Sequence, residues 1–195
     1  MTSTTAVQPR RELLLQSAAD LFSAKGYHAV GIDDIGAAAG ISGPGVYRHF
    51  PSKQAILEAL CDRAMTTMLE GARGIPALHT EPGAALEALV DLHVDFAVGR
   101  RALLGVWSRE QRALSDDVRR SLRTQLRAYE QPFREVLTRL RDDLVAEEVT
   151  IAVTATLSML NTAAIVHADV GADRLRRLLR RMALSALLSR RTPRR

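Results

Sequence analysis

The sequence has few of the residues that provide covalent cross-links or catalytic nucleophiles. It contains one cysteine, Cys61, so a disulfide within the chain is excluded and a reducing cytoplasm is the expected location. Cys61 and the five histidines form no recognisable nucleophile–base arrangement and no metal-ligand spacing. The sequence therefore predicts no enzyme, no metal site and no cofactor. We expect Cys61 to be a small buried apolar residue within a helix.

The sequence also lacks any sustained alternation of polar and apolar residues, the pattern typical of strands, whereas apolar residues recur at helical spacing. It predicts an all-α protein: an N-terminal three-helix head (1–52) joined by a long helix to a helical body (53–195). Gly74 to Gly83 is interpreted as a linker, and Pro132 predicts a kink or short break. The predicted helices are 10–25, 32–39, 42–49, 53–73, 83–98, 101–113, 115–141, 146–169 and 172–190.

Positive charge is concentrated near the C-terminal end. The net charge is +5, yet residues 1–73 hold equal numbers of basic and acidic side chains. The last 25 residues hold nine arginines and one acid, Asp173. A solvated helix face is favoured for this tail over a second contact with DNA. Net charge alone would therefore place a nucleic-acid site at the wrong end of the chain.

The stretch from Asp33 to Lys53, DDIGAAAGISGPGVYRHFPSK, carries the functional signal. Two short helices joined by a glycine-containing turn form a helix-turn-helix, whose second helix fits the major groove of DNA. Gly40 permits the positive φ that such a turn requires. The apolar residues expected to pack the two helices together are Ile35, Ala39, Val46 and Phe50.

The second helix of this motif is expected to contact DNA. Gly43, Pro44 and Gly45 leave its start with little bulk, so its backbone can approach the base edges. A phosphate-facing hydroxyl is favoured for Tyr47 over a core position, and a phosphate contact is favoured for His49 over metal binding. Lys53 is expected to contact phosphate rather than to be simple surface charge. The predicted DNA-binding residues are Ser42, Gly43, Pro44, Tyr47, Arg48, His49 and Lys53.

These residues resemble the head of the TetR family of bacterial transcriptional regulators. The resemblance covers about residues 10–57 and rests on LFSAKGYHAVGIDDI, then GIS, a small-residue stretch, YRHF and a Ser-Lys pair, in the family's order. It implies a homodimer, a DNA operator with two-fold symmetry, and release from DNA when a small molecule enters the body. It also implies that the last two helices of each protomer pair into a four-helix bundle.

The head departs from the family pattern at three places. Family members often have threonine or serine where this chain has Val30-Gly31, so the hydroxyl that caps the second helix is missing. Gly36 replaces a common alanine, at a cost of up to about 1 kcal/mol of helix propensity. The recognition helix offers only Ser42 and Arg48 as clear polar readers of bases.

Candidate effector-binding residues are scattered over the body. An effector site is usually an apolar pocket with a few polar groups. The candidates are His93, Phe96, Trp107, Tyr129, Met159 and Asn161, although ordinary core packing would produce the same residues. His93 and His167 lie among apolar residues, where a satisfied core histidine is the commoner case.

Residues Val149 to Ala168 form a run of 20 residues without formal charge, long enough to span a bilayer. Seven of them are Thr, Ser, Asn or His, so burial at a helix–helix interface is favoured and no membrane is expected. With the apolar stripe of Leu175, Leu178, Leu179 and Met182, this run predicts the subunit interface.

The leading hypothesis is a ligand-responsive regulator, most simply a repressor, that binds a palindromic operator as a dimer and is released by a small molecule. Repression and activation stay open, because the sign depends on where the operator lies. The effector's identity is not readable from the sequence, although an apolar or acyl-type molecule is favoured. The alternatives are a constitutive DNA-binding protein without an effector and an all-helical enzyme, which would need a catalytic pair that the sequence does not show.

Overall fold

The computed structural model describes residues 7–110, 114–166 and 169–189. In those ranges the backbone forms helices and no strand, which confirms the all-α prediction. The helices are α1 (Val7–Lys25), α2 (Ile32–Ala38), α3 (Gly43–Tyr47), α4 (Lys53–Leu78), α5 (Pro82–Gly99), α6 (Arg101–Glu110), α7 (Asp116–Leu140), α8 (Ala146–Val166) and α9 (Ala172–Leu188).

The chain divides into two compact units. The first comprises the described residues up to Ala64 together with Ala102–Leu122, and the second comprises Met65–Arg101 with the described residues from Arg123 onwards. In the first unit, α1 packs on α2 and α2 on α3; in the second, α5, α8 and α9 pack together. Because Ala102–Leu122 clusters with the head, the compact units differ from a division at residue 52. That functional division stays a prediction.

Local end signals in the head behave as the sequence indicates. Gly26 ends α1 with φ of 83°, and its N–H donates to the carbonyl of Phe22. Gly40 has φ of 69° in the turn between α2 and α3, the left-handed region that favours glycine. Ser52 caps α4, because its hydroxyl accepts a hydrogen bond of 3.0 Å from the N–H of Ala55.

The linker predicted at Pro76 and Pro82 is wrong, and of the kink or short break predicted at Pro132 the break is wrong while the kink stays a prediction. The linker predicted from Gly74 to Gly83 is largely helical, because α4 continues past Pro76 to Leu78 and the N–H of His79 still donates to the carbonyl of Ile75. α7 likewise runs through Pro132 without a break. A proline removes one backbone donor, and the neighbouring bonds of a long helix can hold it in place.

Candidate DNA-binding surface and effector site

α2 and α3 lie so close together that two glycines are required between them. A Cβ on Gly36 would come within 2.9 Å of the carbonyl oxygen of Ile41 and 3.1 Å of Val46 Cγ2. A Cβ on Gly43 would overlap the carboxylate of Asp33. Gly36 therefore lowers the helix propensity of α2 but also permits the close packing of α2 on α3. Gly43 is buried against α2, where its lack of a side chain permits the close packing of the two helices, and the approach of the α3 backbone to base edges stays a prediction.

The apolar side of the α2–α3 pair is buried as expected. Ile35, Ala39, Val46 and Phe50 all lie in the core of the first unit. Arg11 of α1 stacks on the outer face of Phe50, with its guanidinium carbon 4.7 Å from the ring centroid. This packing fixes which face of α3 remains available to a ligand outside the head.

The opposite side of α3 is exposed. Ser42, Pro44, Tyr47 and Arg48 are exposed, and 57% of Tyr47 is accessible to solvent. His49 is half-buried. Ser42 is the N-cap residue of α3, a position that serine often occupies, but its hydroxyl makes no capping hydrogen bond. α3 ends at Tyr47, two residues earlier than predicted, and Arg48 is its C-cap residue.

Lys53 has a structural role that the sequence did not indicate. Its Nζ donates hydrogen bonds of 2.9 Å to the carbonyl of Tyr27 and 2.8 Å to that of Val30, and it lies 4.5 Å from the centroid of the Tyr27 ring. These contacts tie the start of α4 to the loop between α1 and α2. An ammonium group has three donors. Contact with phosphate, which stays a prediction, can therefore involve only one of them while these bonds persist.

The N-terminus of α2 is capped without the hydroxyl that the family often supplies. Asp34 accepts a hydrogen bond of 2.7 Å from the N–H of Gly31. Asp33 and Asp34 also place negative charge in the first turn of α2, where the helix dipole is favourable to it. Asp34 therefore satisfies the N–H of Gly31, but the bond that an N-cap hydroxyl would accept from the first turn of α2 is absent.

Two acidic side chains join the end of α6 to the head and the start of α7 to α4. Glu110 Oε1 lies 3.0 Å from His28 Nε2, and Glu58 Oε1 accepts a hydrogen bond of 3.1 Å from the N–H of Ser115. Burial raises the pKa of Tyr27, and the charges of Glu110 and Glu58 raise it further. Because the hydrogen-bonded partners Ser115 and Glu58 are 57 positions apart, no local sequence pattern could have revealed this contact.

Cys61 is buried, in agreement with the prediction for this residue. Burial raises the pKa of its thiol to about 12, with Glu58 and Asp62 raising it further. The thiolate form needed by a nucleophile is therefore strongly disfavoured.

Polar groups meet in the second unit where α5, α7 and α8 contribute buried residues. His93 Nδ1 lies 3.0 Å from the hydroxyl of Tyr129, and both side chains are buried. Burial lowers the pKa of His93 to about 4, an effect that the carbonyl of Leu157 and the amide of Asn161 partly oppose. Burial also raises the pKa of Tyr129. Both groups are therefore neutral at pH 7.

Two atoms at this position lack hydrogen-bond partners. His93 Nε2 and Asn161 Oδ1 are buried, and neither makes a hydrogen bond within the described part of the chain. Leaving a buried polar atom unpaired costs about 1–3 kcal/mol, and native proteins contain few such atoms. A buried pair of this kind therefore calls for an explanation.

No contact between the other effector candidates and His93, Tyr129 or Asn161 is seen among the described side chains. Met159 is two residues from Asn161 on α8, and residues at that spacing point to different sides of a helix. Phe96 is half-buried on α5, and Trp107 belongs to the first compact unit. His167 lies outside the described residues. The pocket role of each candidate stays a prediction.

α8 presents an uncharged face to solvent. By length and composition this helix could cross a membrane, a test that core helices of soluble proteins also pass. Its inward face is buried in the second unit, and its outward face follows helical spacing of three and four residues. The exposed residues of that outward face are Ile151, Ala155, Ser158, Thr162 and Val166.

Only half of the interface stripe predicted on α9 is exposed to solvent. Leu178 and Met182 are exposed, but Leu175 and Leu179 are buried within the protomer. The prediction that all four face a partner is therefore wrong for Leu175 and Leu179, because the two pairs lie on different sides of α9. Residues 190–195 of the arginine-rich tail, like 167 and 168 of the uncharged run, lie outside the described residues.

Comparison with known proteins agrees with this arrangement. Residues 14–60 match the family model described as bacterial regulatory proteins, tetR family, and residues 79–165 match a tetracyclin repressor-like C-terminal domain. The transcriptional activator FasR of Mycolicibacterium smegmatis is 37% identical over 87 residues, which cover 45% of this chain and 40% of FasR. The transcriptional repressor KstR2 of Rhodococcus jostii is 36% identical over 87 residues, 45% of this chain and 43% of KstR2. These matches span less than half of either relative.

Solved structures share the fold over nearly the whole chain. The TetR family regulator PfmR of Thermus thermophilus matches with a TM-score of 0.79 and 24% identity, covering 92% of this chain and 99% of PfmR. AibR, solved in complex with isovaleryl coenzyme A and operator DNA, matches with a TM-score of 0.73 and 18% identity, covering 89% of this chain and 97% of AibR.

An all-helical chain whose α2–α3 pair leaves one polar face open has the architecture of a helix-turn-helix transcription regulator. The two family models, which together match most of the chain, make the assignment specific: this protein belongs to the TetR family of bacterial transcriptional regulators. The predicted family and fold are thereby confirmed. The prediction that the chain is not an enzyme is confirmed as well, because the family consists of regulators.

Proposed function

We propose that this protein is a cytoplasmic, homodimeric regulator that binds a palindromic operator through α3 and is released from it by a small molecule. The observation that carries the proposal is the two-sided packing of α3. Val46 is buried against the head, while Ser42, Tyr47 and Arg48 are exposed together on the other side. This is the arrangement needed by a helix that enters the major groove.

Within α3 and its flanks we assign different roles to the exposed side chains. The hydroxyl of Tyr47 and the imidazole of His49 contact phosphates, which position the protein without reading sequence. Arg48 and Ser42 contact base edges, and Pro44 approaches the groove as an apolar surface. Lys53 gives its third N–H to a phosphate. DNA binding then resides mostly in residues 1–52, and dimerisation and effector binding in 53–195.

Selection of DNA sequences bound by the full-length protein tests this assignment. We expect a two-fold symmetric consensus with half-sites about one helical turn apart. Tyr47→Phe should weaken binding to operator and scrambled duplexes alike, whereas Arg48→Ala should relax discrimination at one base pair by about 1–3 kcal/mol. Unchanged affinity and specificity in both variants would contradict the placement of α3 in the groove.

The uncharged outward face of α8 supports the dimer. Ile151 and Val166 are each about two-thirds exposed in the single chain, at 66% and 65%. A face of this length without charge is unusual for a surface helix. Leu178 and Met182 of α9 add exposed apolar side chains. We propose that α8 and α9 of two protomers pair through these residues.

Ala155→Asp places a charge at the centre of this face and tests the dimer. In a two-fold interface the substituted residue occurs twice, so two like charges are buried near each other and association is lost. Light scattering should then show a monomer. Ala128→Asp, on an exposed position of α7, is the matched control and should stay dimeric. Ala163 is less suitable, because it is already half-buried within the protomer. A dimeric Ala155→Asp protein would place the interface elsewhere.

The effector and the direction of regulation belong to the same proposal. FasR is an activator and KstR2 a repressor, so the relatives do not share one sign of regulation. We favour repression, with an apolar or acyl-type effector, as AibR was solved with isovaleryl coenzyme A. Thermodynamic linkage requires effector and operator to weaken each other by the same factor. Measuring both affinities with and without the other partner tests this, and independent binding would support a constitutive regulator instead.

A further inference from the structure

The buried contact between His93 and Tyr129 determines which ring nitrogen of His93 carries the proton. Within the described residues, the one hydrogen bond of the Tyr129 hydroxyl is the 3.0 Å contact with His93 Nδ1. Both side chains are buried, and the lowered pKa of His93 keeps its ring neutral. Within the described residues the phenol has no other acceptor for its hydrogen, so that hydrogen is satisfied only when Nδ1 accepts it and Nε2 carries the proton of the ring. The unpartnered Nε2 is therefore a buried donor.

Asn161 supplies the complementary group. Its Oδ1 is buried and unpartnered like His93 Nε2, and the amide is near enough to His93 to raise the pKa of the ring. The Leu157 carbonyl and the Asn161 side chain both lie within hydrogen-bonding reach of the His93 ring and raise its pKa, but neither contact has the distance and angle of a full hydrogen bond at Nε2 or Oδ1. An unpaired donor thus lies near an unpaired acceptor, and a group that accepts one hydrogen bond and donates another would satisfy both. A hydroxyl group has both capacities.

The surrounding charges argue against an anionic group at this position. The cations of the second unit that are most withdrawn from solvent are already paired. Arg134 Nη1 donates to Glu130 Oε2 at 2.8 Å, and Arg141 donates to the Asp143 carboxylate and, at 2.8 Å, to the carbonyl of Leu187. An ionised carboxylate buried beside His93 could pair with neither of these two arginines without breaking their present contacts, and burying an unpaired charge is costly.

We propose that His93 Nε2 and Asn161 Oδ1 form the polar end of the effector site and bind one hydroxyl group of an uncharged, otherwise apolar molecule. Tyr129 acts on the ligand through His93, as a positioning residue that fixes the tautomer of the ring. The inference rests on the proposed function, in which the second unit binds an effector. It adds the chemical class of that molecule and the two atoms that recognise it.

Matched probes test the class of ligand on the full-length dimer. The probes are 1-alkanols of increasing chain length, their methyl ethers, which accept but cannot donate, and the carboxylates of equal length. Calorimetry should show the alkanol binding at least tenfold more tightly than its ether, because only the alkanol donates to Asn161. In Asn161→Leu this preference should vanish, while ether affinity is kept. In His93→Phe both alkanol and ether should weaken. Ala128→Asp, at an exposed position of α7, is the control.

Nitrogen chemical shifts of His93 provide a second readout that needs no ligand. We expect a bare Nδ1 and a protonated Nε2 in wild type, and a mixture of tautomers in Tyr129→Phe. A protonated Nδ1 in wild type would overturn the proposal. It would also be overturned by equal affinity for alkanol and ether, by a preference that persists in Asn161→Leu, or by tightest binding of the carboxylate.

Operator binding separates failure of this inference from failure of the proposed function. If carboxylates bind the protein and cause it to release the operator, while alkanols do not bind, the protein is a ligand-responsive regulator and the hydroxyl assignment is wrong. If no probe binds and the operator is held under all conditions, both fail and the unpaired atoms are explained by an internal water. We expect the alkanols that bind to lower operator affinity in wild type and to have less effect in His93→Phe.

Discussion

Replacement of Lys53 by methionine would separate the structural role of this residue from its proposed contact with DNA. Methionine keeps an unbranched apolar side chain of similar length but removes the ammonium group. The variant therefore loses the two hydrogen bonds from Nζ to the carbonyls of Tyr27 and Val30, and the contact with the Tyr27 ring. The loop between α1 and α2 is then no longer tied to the start of α4.

The expected loss of stability follows from these contacts. A hydrogen bond from a charged donor contributes about 1.5–3 kcal/mol, and a cation over an aromatic ring adds about 0.5–1 kcal/mol at a partly exposed site. Lys53 is half-buried, so water can replace part of what is lost and the lower values apply. We expect the free energy of unfolding to fall by about 3 kcal/mol, a large share of the stability of a typical domain.

Urea unfolding of Lys53→Met and of Lys25→Met measures this effect with a matched control. These are the two lysines of the chain, and Lys25 is exposed at the end of α1, so its loss should change stability by less than about 0.5 kcal/mol. Titrations of operator DNA at several salt concentrations measure the second role. If each protomer gives one lysine N–H to a phosphate, the slope of log K against log salt should fall by about 2 for the dimer.

Two results would refute the reasoning on Lys53. Stability within about 0.5 kcal/mol of wild type would mean that water replaces the lysine contacts fully, and that the α1–α2 loop is held by other residues. A lowered stability with an unchanged salt slope would keep the structural role and remove Lys53 from the DNA-binding residues.

Further predictions concern the head and the buried histidine. Gly43→Ala should destabilise the head by about 1 kcal/mol by displacing Asp33, and the cost should vanish in an Asp33→Ala background. Gly36→Ala should cost about 2 kcal/mol in either background, because the added Cβ meets the backbone of Ile41. The pKa of His93 is lowered from 6.5 to about 4, so its contribution to stability is complete above pH 6.5 and is lost as the pH falls towards 4. The loss should total about 3 kcal/mol and be absent in His93→Gln, compared by denaturant unfolding at each pH. Equal pH profiles, or equal costs of Gly43→Ala in both backgrounds, would contradict these assignments.

The helix-turn-helix could be predicted because its determinants are local. Gly40 adopts the positive φ that the sequence indicated, Gly26 ends α1 with a positive φ, and Ser52 caps α4 through the N–H of Ala55 three residues away. Val46 and Phe50 are buried at the spacing of one helix face. Such signals act between residues within about one helical turn, so a sequence pattern contains all the partners.

The proposed effector site was only partly predictable. His93, Tyr129 and Asn161 are polar residues within apolar stretches, which is a signal that sequence can give. A sequence cannot show that these residues lie together, since His93 and Tyr129 are 36 positions apart and come from different helices. Met159 and Trp107 satisfied the same compositional rule, yet Trp107 belongs to the first compact unit and Met159 lies on another side of α8 from Asn161.

By itself the sequence determined that the protein is helical, where most helices begin and end, and which segment forms the helix-turn-helix, because periodicity, glycine turns and caps are properties of neighbouring residues. Only the tertiary structure decided what each exposed-looking side chain touches. Lys53 bonds to carbonyls 26 and 23 positions away, the carboxylate of Asp33 occupies the space beside Gly43, and Leu179 is buried where Leu178 is not. Helical spacing defines a face, but only packing between distant segments decides what covers it.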